Sequence, residues 1–343
     1  MTTVAIAGAS GYAGAELIRL IHAHPSFELT AITAGSQAGE RLAQVHPQFC
    51  AQTDLADLIF AQTTAQALAG ADLVFLALPH GTSGALIADL PSSVKLVDLG
   101  ADYRLTDATQ WEKYYGGFYA GSFVYGLPEL PGRRAQIAAS TKIANPGCFA
   151  TAIELSLAPL IASGLVDASD AVIVAASGTS GAGRRATANL LASEIAGSIS
   201  AYKVGGTHQH TAEIEQELQN LTDSKVAVNF TPMLAPMPRG ILATISVKSS
   251  VSESELRTVL ASAYEAEPFV QLLPQGQLPA TAATLGSNAV HLQVAKDDRT
   301  SRVTIIAAID NLIKGASGQA VQNANLMFGY GETAGLTAIG IAP

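Results

Sequence analysis

The chain has 343 residues, of which 48% are hydrophobic and 14% charged, and its formal net charge is −9. This composition excludes a disordered chain, and the length suits two domains better than one large core. The negative charge argues against nucleic acid or an anionic membrane as a partner. If the substrate is an anion, the few basic residues must be concentrated at its site.

Targeting signals and cysteine content both favour a cytoplasmic protein. No apolar run reaches the ~18 residues of a membrane span, and the N-terminus leads into a strand pattern without the basic segment of a signal peptide. The chain has 2 cysteines, Cys50 and Cys148, so at most one disulfide could form, and a chain of this size does not need it. A reduced, cytoplasmic setting is therefore expected.

A glycine-rich turn follows the first predicted strand, residues 4–7. Its spacing is G-x-x-G-x-x-G, and the next segment has the apolar period of a helix. A Rossmann unit uses this order of strand, turn and helix to place a pyrophosphate on the helix N-terminus. A tight turn without a ligand could have the same glycines, but their position favours dinucleotide binding. The predicted cofactor contacts are Gly8, Ser10, Gly11, Tyr12, Ala13 and Gly14.

The end of the second predicted strand, residues 28–34, indicates which dinucleotide binds. An NAD site would place an Asp or Glu there to hold the ribose 2′-hydroxyl, and none occurs before Glu40. Ser36 and Arg41 could instead receive a 2′-phosphate. The pattern favours NADP over NAD.

Polar residues follow the next two predicted strands, residues 73–78 and 96–99. Pro79 and His80 are at the carboxyl end of a strand, where open α/β sheets bind ligands, so they are predicted to line the cofactor site. Arg104 also follows a strand end; it could bind substrate or be a solvated loop arginine. Residues 111–126 have little periodicity and predict an ordered loop over the site.

Cys148 follows Pro146-Gly147, directly before the long apolar run of residues 150–160. The Pro-Gly pair ends a short strand, and the run has the length of a buried helix. Cys148 is therefore predicted at or just before a helix N-terminus, where unpaired N–H groups and the helix dipole favour a thiolate. The alternative is a small buried cysteine that acts as a hydrophobic residue. The helix-start position favours the nucleophile.

Small and hydroxyl residues with two arginines follow a strand predicted at residues 172–176. Such a segment suits an anion cradle built from backbone N–H groups. A flexible linker has a similar composition, but linkers seldom interrupt a strand–helix alternation. The predicted contacts are Ser177 and Gly178 for the cofactor and Ser180, Gly181 and Arg184 for the substrate.

Two histidines, His208 and His210, precede a helix predicted at residues 212–220. No Asp, Glu or Cys has the usual ligand spacing to them, so no metal is predicted. A histidine at a helix start suits an acid–base partner for an activated cysteine. If the segment is extended, both side chains point the same way, because strand side chains alternate.

The second half of the chain has successive strand patterns, at residues 226–231, 240–247, 290–295 and 302–309, and a final helix at 315–328. Their hairpin-like spacing predicts a mostly antiparallel sheet. The predicted fold is α/β: a Rossmann-type, doubly wound dinucleotide-binding domain and an α+β domain. The first domain is residues 1–147, completed by 312–343, and the second is 148–311.

Seven segments together resemble the N-acetyl-gamma-glutamyl-phosphate reductases of arginine biosynthesis. They are GASGYAGAEL, VDLGADYRL, NPGCFATA, SGTSGAGR, THQHTAEIEQ, PMPRG and DNLIKGASGQAVQN. The resemblance covers essentially the whole chain. It implies NADPH-dependent reduction of an acyl phosphate to an aldehyde through a cysteine thioester, with release of phosphate. It also implies a fold like that of glyceraldehyde-3-phosphate and aspartate-semialdehyde dehydrogenases, with the last helix returning to the cofactor domain, and a homodimer or homotetramer formed through the second sheet.

The resemblance also implies roles for particular residues. The family's cysteine corresponds to Cys148, and its histidine lies within 208–210. His210 is preferred to His208 because related enzymes have a basic residue seven positions before the histidine, where Lys203 stands. The further predicted contacts are Asn145 for the oxyanion, Arg104 and residues 177–183 for the phosphoryl group, Lys203 for the substrate carboxylate, and Asn311 for the cofactor.

Two alternatives remain at this stage. A lysine-pathway relative would reduce N-acetyl-aminoadipyl phosphate, whose extra methylene allows discrimination of only about 10–200-fold. A non-catalytic NADP-binding regulator would have lost the cysteine or the histidine, and both are present. The chain departs from many family members, which have Ser-Arg where it has Ser36-Gln37; this weakens the preference for NADP.

Overall fold

The computed structural model describes residues 1–342, which divide into two compact units. The first unit contains Met1–Pro128, Gly132–Pro146 and Ala316–Leu336. The second contains Glu129–Pro131, Gly147–Gly315 and the residues from Thr337 onward. The predicted division kept 129–131, 147, 312–315 and 337–342 in the first domain. Contacts instead assign them to the second unit, where Glu129 pairs with Lys314 and the Ile341 N–H donates to the Leu285 carbonyl.

A parallel sheet organises the first unit. Its strands are β1 (Thr2–Ala7), β2 (Phe27–Ala34), β3 (Ala61–Gln62), β4 (Leu73–Leu76), β5 (Lys95–Asp98), β6 (Val124–Tyr125) and β7 (Lys142–Ala144). They lie in the order β3-β2-β1-β4-β5-β7-β6, and every pair is parallel. The central β4 is buried along its whole length, as its continuous apolar sequence predicts. The predicted Rossmann-type sheet is confirmed.

Helices cover this sheet. They are α1 (Tyr12–His22), α2 (Leu42–Val45), α3 (Ala65–Leu68), α4 (Ser83–Ala88), α5 (Ala108–Tyr114), α6 (Arg133–Ala139) and, from the end of the chain, α12 (Gly318–Met327). Helix α12 packs against α1 and α6, and its Val321 and Ala324 share a buried cluster with Leu17 and Ile18 of α1. The final helix was predicted to begin at 315, but a π-helix at Ile313–Ser317 precedes it.

The prediction of a loop at residues 111–126 is wrong in part. Helix α5 overlaps its start and β6 lies near its end. The Asp107 carboxylate caps α5 by accepting a hydrogen bond from the Thr109 N–H at 2.7 Å. Only Trp111 of α5 is buried, so the helix has no apolar stripe from which the sequence could have revealed it.

A mixed sheet organises the second unit. Its strands are β8 (Ala171–Ser177), β9 (Ser200–Ala201), β10 (Val228–Leu234), β11 (Ile241–Lys248), β12 (Val270–Leu272), β13 (Val290–Asp297) and β14 (Arg302–Ile309). They lie in the order β12-β13-β14-β11-β8-β10-β9. The β12–β13 and β8–β10 pairs are parallel and the other pairs are antiparallel. The predicted mostly antiparallel sheet is confirmed.

The helices of the second unit are α7 (Cys148–Ala162), α8 (Ala192–Ile195), α9 (His210–Gln219), α10 (Glu253–Tyr264) and α11 (Thr281–Thr284). Helix α7 packs on β11 and β14 and contacts α9 and α10, so it is apolar and buried nearly all round. Helix α10 begins with a capping box, in which Ser252 and Glu255 are bonded reciprocally. Within residues 1–342, none of the helices has both the length and the hydropathy needed to cross a bilayer.

Strand register brings three loops together at one end of the mixed sheet. Ile241, which begins β11, lies opposite Ser177 at the end of β8 and Ile309 at the end of β14. The loops that follow Ser177, precede Ile241 and follow Ile309 therefore lie side by side. These are the segments in which small, polar and charged residues replace the apolar strand pattern.

Candidate active site

The glycine turn of the first unit has room only for glycine at two positions. Gly8 has a φ of 79°, and a Cβ there would lie 2.3 Å from the Ala77 carbonyl oxygen. A Cβ on Gly14 would lie 2.5 Å from the Ala9 Cα. Gly11 caps the 11-residue α1 without a side-chain hydrogen bond, so a ligand can meet the first-turn N–H groups. The turn and helix thus fit a dinucleotide pyrophosphate.

The residues predicted to read the cofactor ribose lie just past β2. Ser36 is exposed, and the Arg41 guanidinium lies 3.2 Å from the Asp57 carboxylate, with both side chains largely in solvent. Ser10 of the glycine turn donates to the Gln37 side-chain oxygen at 3.1 Å. Gln37 was not among the predicted contacts, although it occupies the position at which the chain departs from its family. The roles of Ser36 and Arg41 stay predictions.

Hydrogen bonds join the two loops that follow β4 and β5. The Asp102 carboxylate accepts from the N–H groups of Gly81 and Ser83, at 2.8 and 3.1 Å. His80 is exposed and its Nδ1 accepts from the Ala101 N–H at 3.1 Å, so Nε2 of the neutral ring carries the proton. Pro79 is exposed beside it. Both residues lie at a strand end of the cofactor-type sheet, as predicted.

Arg104 is buried, with 5% of its surface exposed, so the alternative of a solvated loop arginine is wrong. Its guanidinium donates to the carbonyls of Leu99 and Asn145, both at 2.8 Å. The Asn145 side chain is also buried. It donates to the Ala316 carbonyl at 3.1 Å and accepts from Asn323 at 3.0 Å. Arg104 and Asn145 therefore brace the ends of β5 and β7, whatever contacts they make with a ligand.

Asp98, at the end of β5, is a functional-site neighbour that the sequence did not reveal. Its Oδ1 accepts from the Ser83 hydroxyl at 3.0 Å and the Gly100 N–H at 2.9 Å. Within residues 1–342 its buried Oδ2 has no hydrogen-bond partner. Burial is the largest cause that raises the pKa of Asp98 to about 7. A carboxyl group that keeps its proton close to neutral pH accounts for both facts.

We expect Asp98 to make the protein less stable as pH rises from about 4, the unfolded pKa, to about 7. The native group holds its proton over this range while the unfolded group loses it, so the native state binds more protons. The free energy of unfolding falls by at most about 1.4 kcal/mol per pH unit. Above the native pKa both states have lost the proton, so the contribution of Asp98 no longer changes with pH. Urea unfolding should show a flatter pH dependence in Asp98→Asn than in the control Asp223→Asn, which replaces an exposed aspartate after α9. Equal slopes would contradict this assignment.

Cys148 is the first residue of the 15-residue α7, as predicted. Gly147 caps the helix in an extended conformation without a side-chain hydrogen bond. Cys148 is half-buried, whereas residues 149–158 behind it are buried. The thiol thus stands at the positive end of a long buried helix, where a thiolate is favoured. Cys50 is exposed and lies in the first unit.

His210 begins α9 and turns precede it, so residues 208–210 are not extended and the condition for side chains that alternate as in a strand is not met. The N-cap Gln209 is itself helical and makes no side-chain cap, so this start carries no sequence signal. The His208 and His210 rings still lie together, with centroids 4.8 Å apart and planes at 80°. Phe149, the second residue of α7, packs against both, with centroid distances of 5.5 and 6.0 Å.

The two histidines differ in protonation. His208 is buried, and its Nδ1 accepts from the His210 backbone N–H at 3.1 Å. Burial, aided by the positive charges of His210 and Lys203, lowers the pKa of His208 to about 2. His208 is therefore neutral near pH 7 and holds the first turn of α9. The acid–base role of His210 stays a prediction.

Gly147 brings His210 to the start of α7. A Cβ on Gly147 would lie 2.5 Å from both Nε2 and Cε1 of His210, so the imidazole packs directly on the residue before Cys148. Glu213, one turn further along α9, accepts a hydrogen bond from the Gly147 N–H at 2.6 Å. Glu213 is buried and was assigned only to the helix by the sequence. Its spacing of three residues from His210 was the available signal.

The predicted cradle of backbone N–H groups is wrong. The N–H groups of Gly178, Thr179 and Ser180 donate to the carbonyls of Gly240, Met237 and Pro238, at 2.9, 2.9 and 3.1 Å. A Cβ on Gly178 would lie 2.7 Å from the Arg239 nitrogen, so the glycine permits this close approach. Neither is the segment a flexible linker, since it forms an ordered 3-10 turn at Thr179–Ala182. Loop pairing across the sheet uses the donors that an anion would need.

The side chains of these loops have mixed placements. Asn311 is buried, accepting from the Gly240 N–H at 2.7 Å and donating to the Ser180 hydroxyl at 3.0 Å. Ser177 is buried and donates to the Gly178 carbonyl at 3.1 Å. Arg184 is exposed. The predicted contacts lie together, held by one another and by loop 237–240; they are Ser177, Gly178, Ser180, Gly181 and Asn311.

Two cations of the second unit differ in surroundings. Lys203 is exposed, has a φ of 45°, and donates to the Gln209 side chain at 2.6 Å. Arg239 was not predicted as a site residue, although the PMPRG motif contains it. Its guanidinium lies 3.6 Å from the fully buried carboxylate of Asp310 and is 27% exposed. Arg239 is thus a partly exposed cation at the end of the mixed sheet where the loops after β8, before β11 and after β14 lie side by side.

Two family models match the chain. Residues 3–139 match the NAD binding domain of semialdehyde dehydrogenase, and residues 148–311 match its dimerisation domain. Solved structures of low identity share the fold. Aspartate semialdehyde dehydrogenase II from Vibrio cholerae matches with a TM-score of 0.71 and 16% identity, over 96% of this chain and 98% of that one. The NADP complex of the Candida albicans enzyme has a TM-score of 0.68, with 16% identity and the same coverage.

Curated relatives match along nearly the whole chain. The N-acetyl-gamma-glutamyl-phosphate reductase of Acidothermus cellulolyticus is 59% identical over 99% of both chains. The reductases of the same name from Salinispora tropica and Thermobifida fusca are 56% and 52% identical, again over 99% of both chains. The resemblance inferred from the seven segments is confirmed. The chain therefore belongs to the N-acetyl-gamma-glutamyl-phosphate reductase family and has the two domains of the semialdehyde dehydrogenases.

Proposed function

We propose that this chain reduces N-acetyl-L-glutamyl 5-phosphate to N-acetyl-L-glutamate 5-semialdehyde with NADPH, releasing phosphate through a thioester on Cys148. The observation that carries the proposal is the meeting of two helix starts. Cys148 begins α7, and the His210 ring at the start of α9 packs on Gly147 directly before it. The names of the family relatives supply the substrate.

Acyl transfer comes first. His210 accepts the proton of the Cys148 thiol, and the thiolate attacks the acyl carbon of the substrate. The bond between that carbon and the phosphate oxygen breaks, so phosphate leaves and a thioester remains. A thioester accepts hydride much better than an oxygen ester does, which gives a chemical reason for Cys at this position instead of Ser.

Reduction completes the reaction. The nicotinamide, when bound, supplies the hydride that reduces the thioester carbonyl. His210 then gives its proton to the resulting alkoxide. As the C–S bond breaks, His210 takes the same proton back from the hydroxyl group, which frees the aldehyde and leaves the Cys148 thiolate beside protonated His210. The Cys148 N–H at the start of α7 is suited to stabilise the developing oxyanion, an effect worth about 2.7–4 kcal/mol per donor. The oxyanion role of Asn145 and the substrate roles of Arg104 and Lys203 stay predictions.

The glycine turn and the first turn of α1 would hold the cofactor pyrophosphate, because Gly8 and Gly14 permit the tight turn and Gly11 leaves the first-turn N–H groups without a side-chain cap. We expect NADPH to be preferred over NADH by about tenfold or more in kcat/KM, as one charge-assisted hydrogen bond to the 2′-phosphate can supply. Arg41→Gln should reduce the preference, whereas Arg19→Gln, on the exposed face of α1, should not. Equal use of both cofactors would show that neither Ser36 nor Arg41 reads the phosphate.

The substrate test is a reverse assay with N-acetyl-glutamate semialdehyde, NADP and phosphate, run beside the aminoadipate analogue. The glutamyl substrate should give the larger kcat/KM, and the difference can be as small as about tenfold, because a single methylene separates the two. A larger value for the analogue would assign the chain to lysine-type chemistry. No NADPH formation from either aldehyde would sink the proposal.

The second unit also suggests a homodimer. Val172 and Val174 of β8 point away from the packed face of the mixed sheet, and each is 40% exposed. An apolar open sheet face suits a second copy of the chain, and the matched dimerisation domain includes β8. We expect sedimentation velocity to give a dimer or tetramer that Val174→Lys weakens.

A cytoplasmic setting is proposed because the catalytic thiol must stay reduced.

A further inference from the structure

A wide turn at the end of β14 lies against the proposed nucleophile. The Gly315 N–H donates to the Asp310 carbonyl, five residues back, at 3.0 Å, which is the spacing of a π-helix. Such single π-turns are rare and occur frequently at functional sites. The turn follows the end of β14, and Gly315 belongs to the same unit as Cys148.

Gly315 packs on the nucleophile so closely that no side chain fits there. A Cβ on Gly315 would lie 2.7 Å from the Cys148 Cβ and 3.2 Å from its Cα. These atoms belong to the buried start of α7 and cannot swing aside as the end of a flexible side chain could. Gly315 has no positive φ, so closeness to Cys148 is what requires glycine at this position.

Buried charged groups hold the turn in place. The Asp310 carboxylate is fully buried and accepts from the N–H groups of Leu312 and Gly286, both at 2.8 Å. Lys314 Nζ lies 2.5 Å from Glu129 Oε1, and neither side chain is exposed to solvent. A buried ion pair adds little net stability over apolar residues of similar size, and its best-attested use is to select one arrangement. Here the pair fixes the residue directly before Gly315.

We propose that Gly315, anchored by the Lys314–Glu129 pair, is a positioning residue that fixes the Cys148 thiol for attack on the acyl phosphate. This inference rests on the proposed function for its consequence in turnover. Its geometric part concerns only where the thiol lies. A displacement of about 1 Å at a reacting atom can reduce a rate by about 10²-fold, so a methyl group at position 315 is enough to matter.

The test is Gly315→Ala, compared with Gly70→Ala, a glycine with no atom within 4 Å of its Cβ position and no positive φ. We expect kcat to fall about 10²-fold in Gly315→Ala, with KM for the acyl phosphate and NADPH affinity little changed. The unfolding temperature should also fall, because the added methyl group overpacks the start of α7. Mass spectrometry should show slower iodoacetamide alkylation of Cys148 across the pH range. Gly70→Ala should behave as the parent protein in every measurement. Unchanged kcat and alkylation in Gly315→Ala would overturn the proposal.

A double variant provides a second test if Gly315→Ala does not fold. Lys314→Met combined with Glu129→Met removes both charges and leaves no unpaired ion. If the Lys314–Glu129 pair positions the turn, iodoacetamide should alkylate Cys148 more slowly in this double variant than in the parent protein. The double variant should also turn over substrate more slowly. Parent-like rates would mean that the pair has no positioning role and would overturn the proposal. The alkylation rate depends on where the thiol lies and does not require turnover. It therefore tests this inference even if the activity of a Cys148→Ala variant disproves the thioester mechanism.

Discussion

Replacing Cys148 with alanine is expected to lower turnover by about 10⁴-fold or more, as removal of a covalent nucleophile commonly does. The acyl phosphate would then have no thioester route, and hydride would have to reach a far poorer acceptor. NADPH binding should change little, because the glycine turn and α1 belong to the first unit and Cys148 to the second. Stopped-flow turnover and fluorescence titration with NADPH measure the two quantities.

Cys50→Ala is the matched control. Cys50 is exposed, and its Sγ makes only a long contact of 3.8 Å to the Ala43 carbonyl. Its loss should leave turnover within about twofold of the parent, as is usual for a surface substitution. Substantial activity in Cys148→Ala, under conditions where Cys50→Ala is normal, would rule out the thioester.

The second large effect separates the two histidines. His210→Asn should lower turnover about 10²–10⁴-fold, the range for loss of a general acid–base group. It should also slow iodoacetamide alkylation of Cys148 near neutral pH, because the imidazole on Gly147 no longer supports the thiolate. His208→Asn should leave alkylation almost unchanged and act mainly on KM, because His208 is already neutral near pH 7.

The choice of asparagine sharpens this comparison. At position 208 its side-chain oxygen can replace Nδ1 as the acceptor of the His210 N–H, so the first turn of α9 should persist. Circular dichroism should therefore match in the two variants. If His208→Asn alone slowed alkylation, His208 would be the base despite its low pKa. If neither variant did, the helix N-terminus alone would activate the thiol.

Local sequence patterns predicted much of the fold and part of the candidate site. The glycine turn, the apolar period of α1 and the Pro-Gly pair before Cys148 act within a few residues of chain, so sequence position predicts them well. Cys148 begins α7, and His80 follows a central strand, as these signals indicate. The predicted parallel and mostly antiparallel sheets were correct for the same reason.

Predictions that needed to know a distant partner failed or were missing. Residues 178–180 have the composition of an anion cradle, but loop 237–240 uses their N–H groups. The π-turn before α12 was read as ordinary helix, since the packing of Gly315 on Cys148 involves residues far apart in the chain. No local pattern marks Asp98 as unusual, because burial in the folded protein is the main cause that raises its pKa to about 7.

The sequence by itself determined the two-unit α/β architecture, the dinucleotide turn and the helix that Cys148 begins, because these follow from periodicity and from backbone rules at Gly and Pro. Only the tertiary structure decided which histidine has its pKa lowered to about 2 by burial, and which glutamate accepts a hydrogen bond from the Gly147 N–H. It also decided that Glu129 belongs with Lys314. Burial and pairing between residues distant in the chain set these properties, and no local pattern of one sequence encodes either.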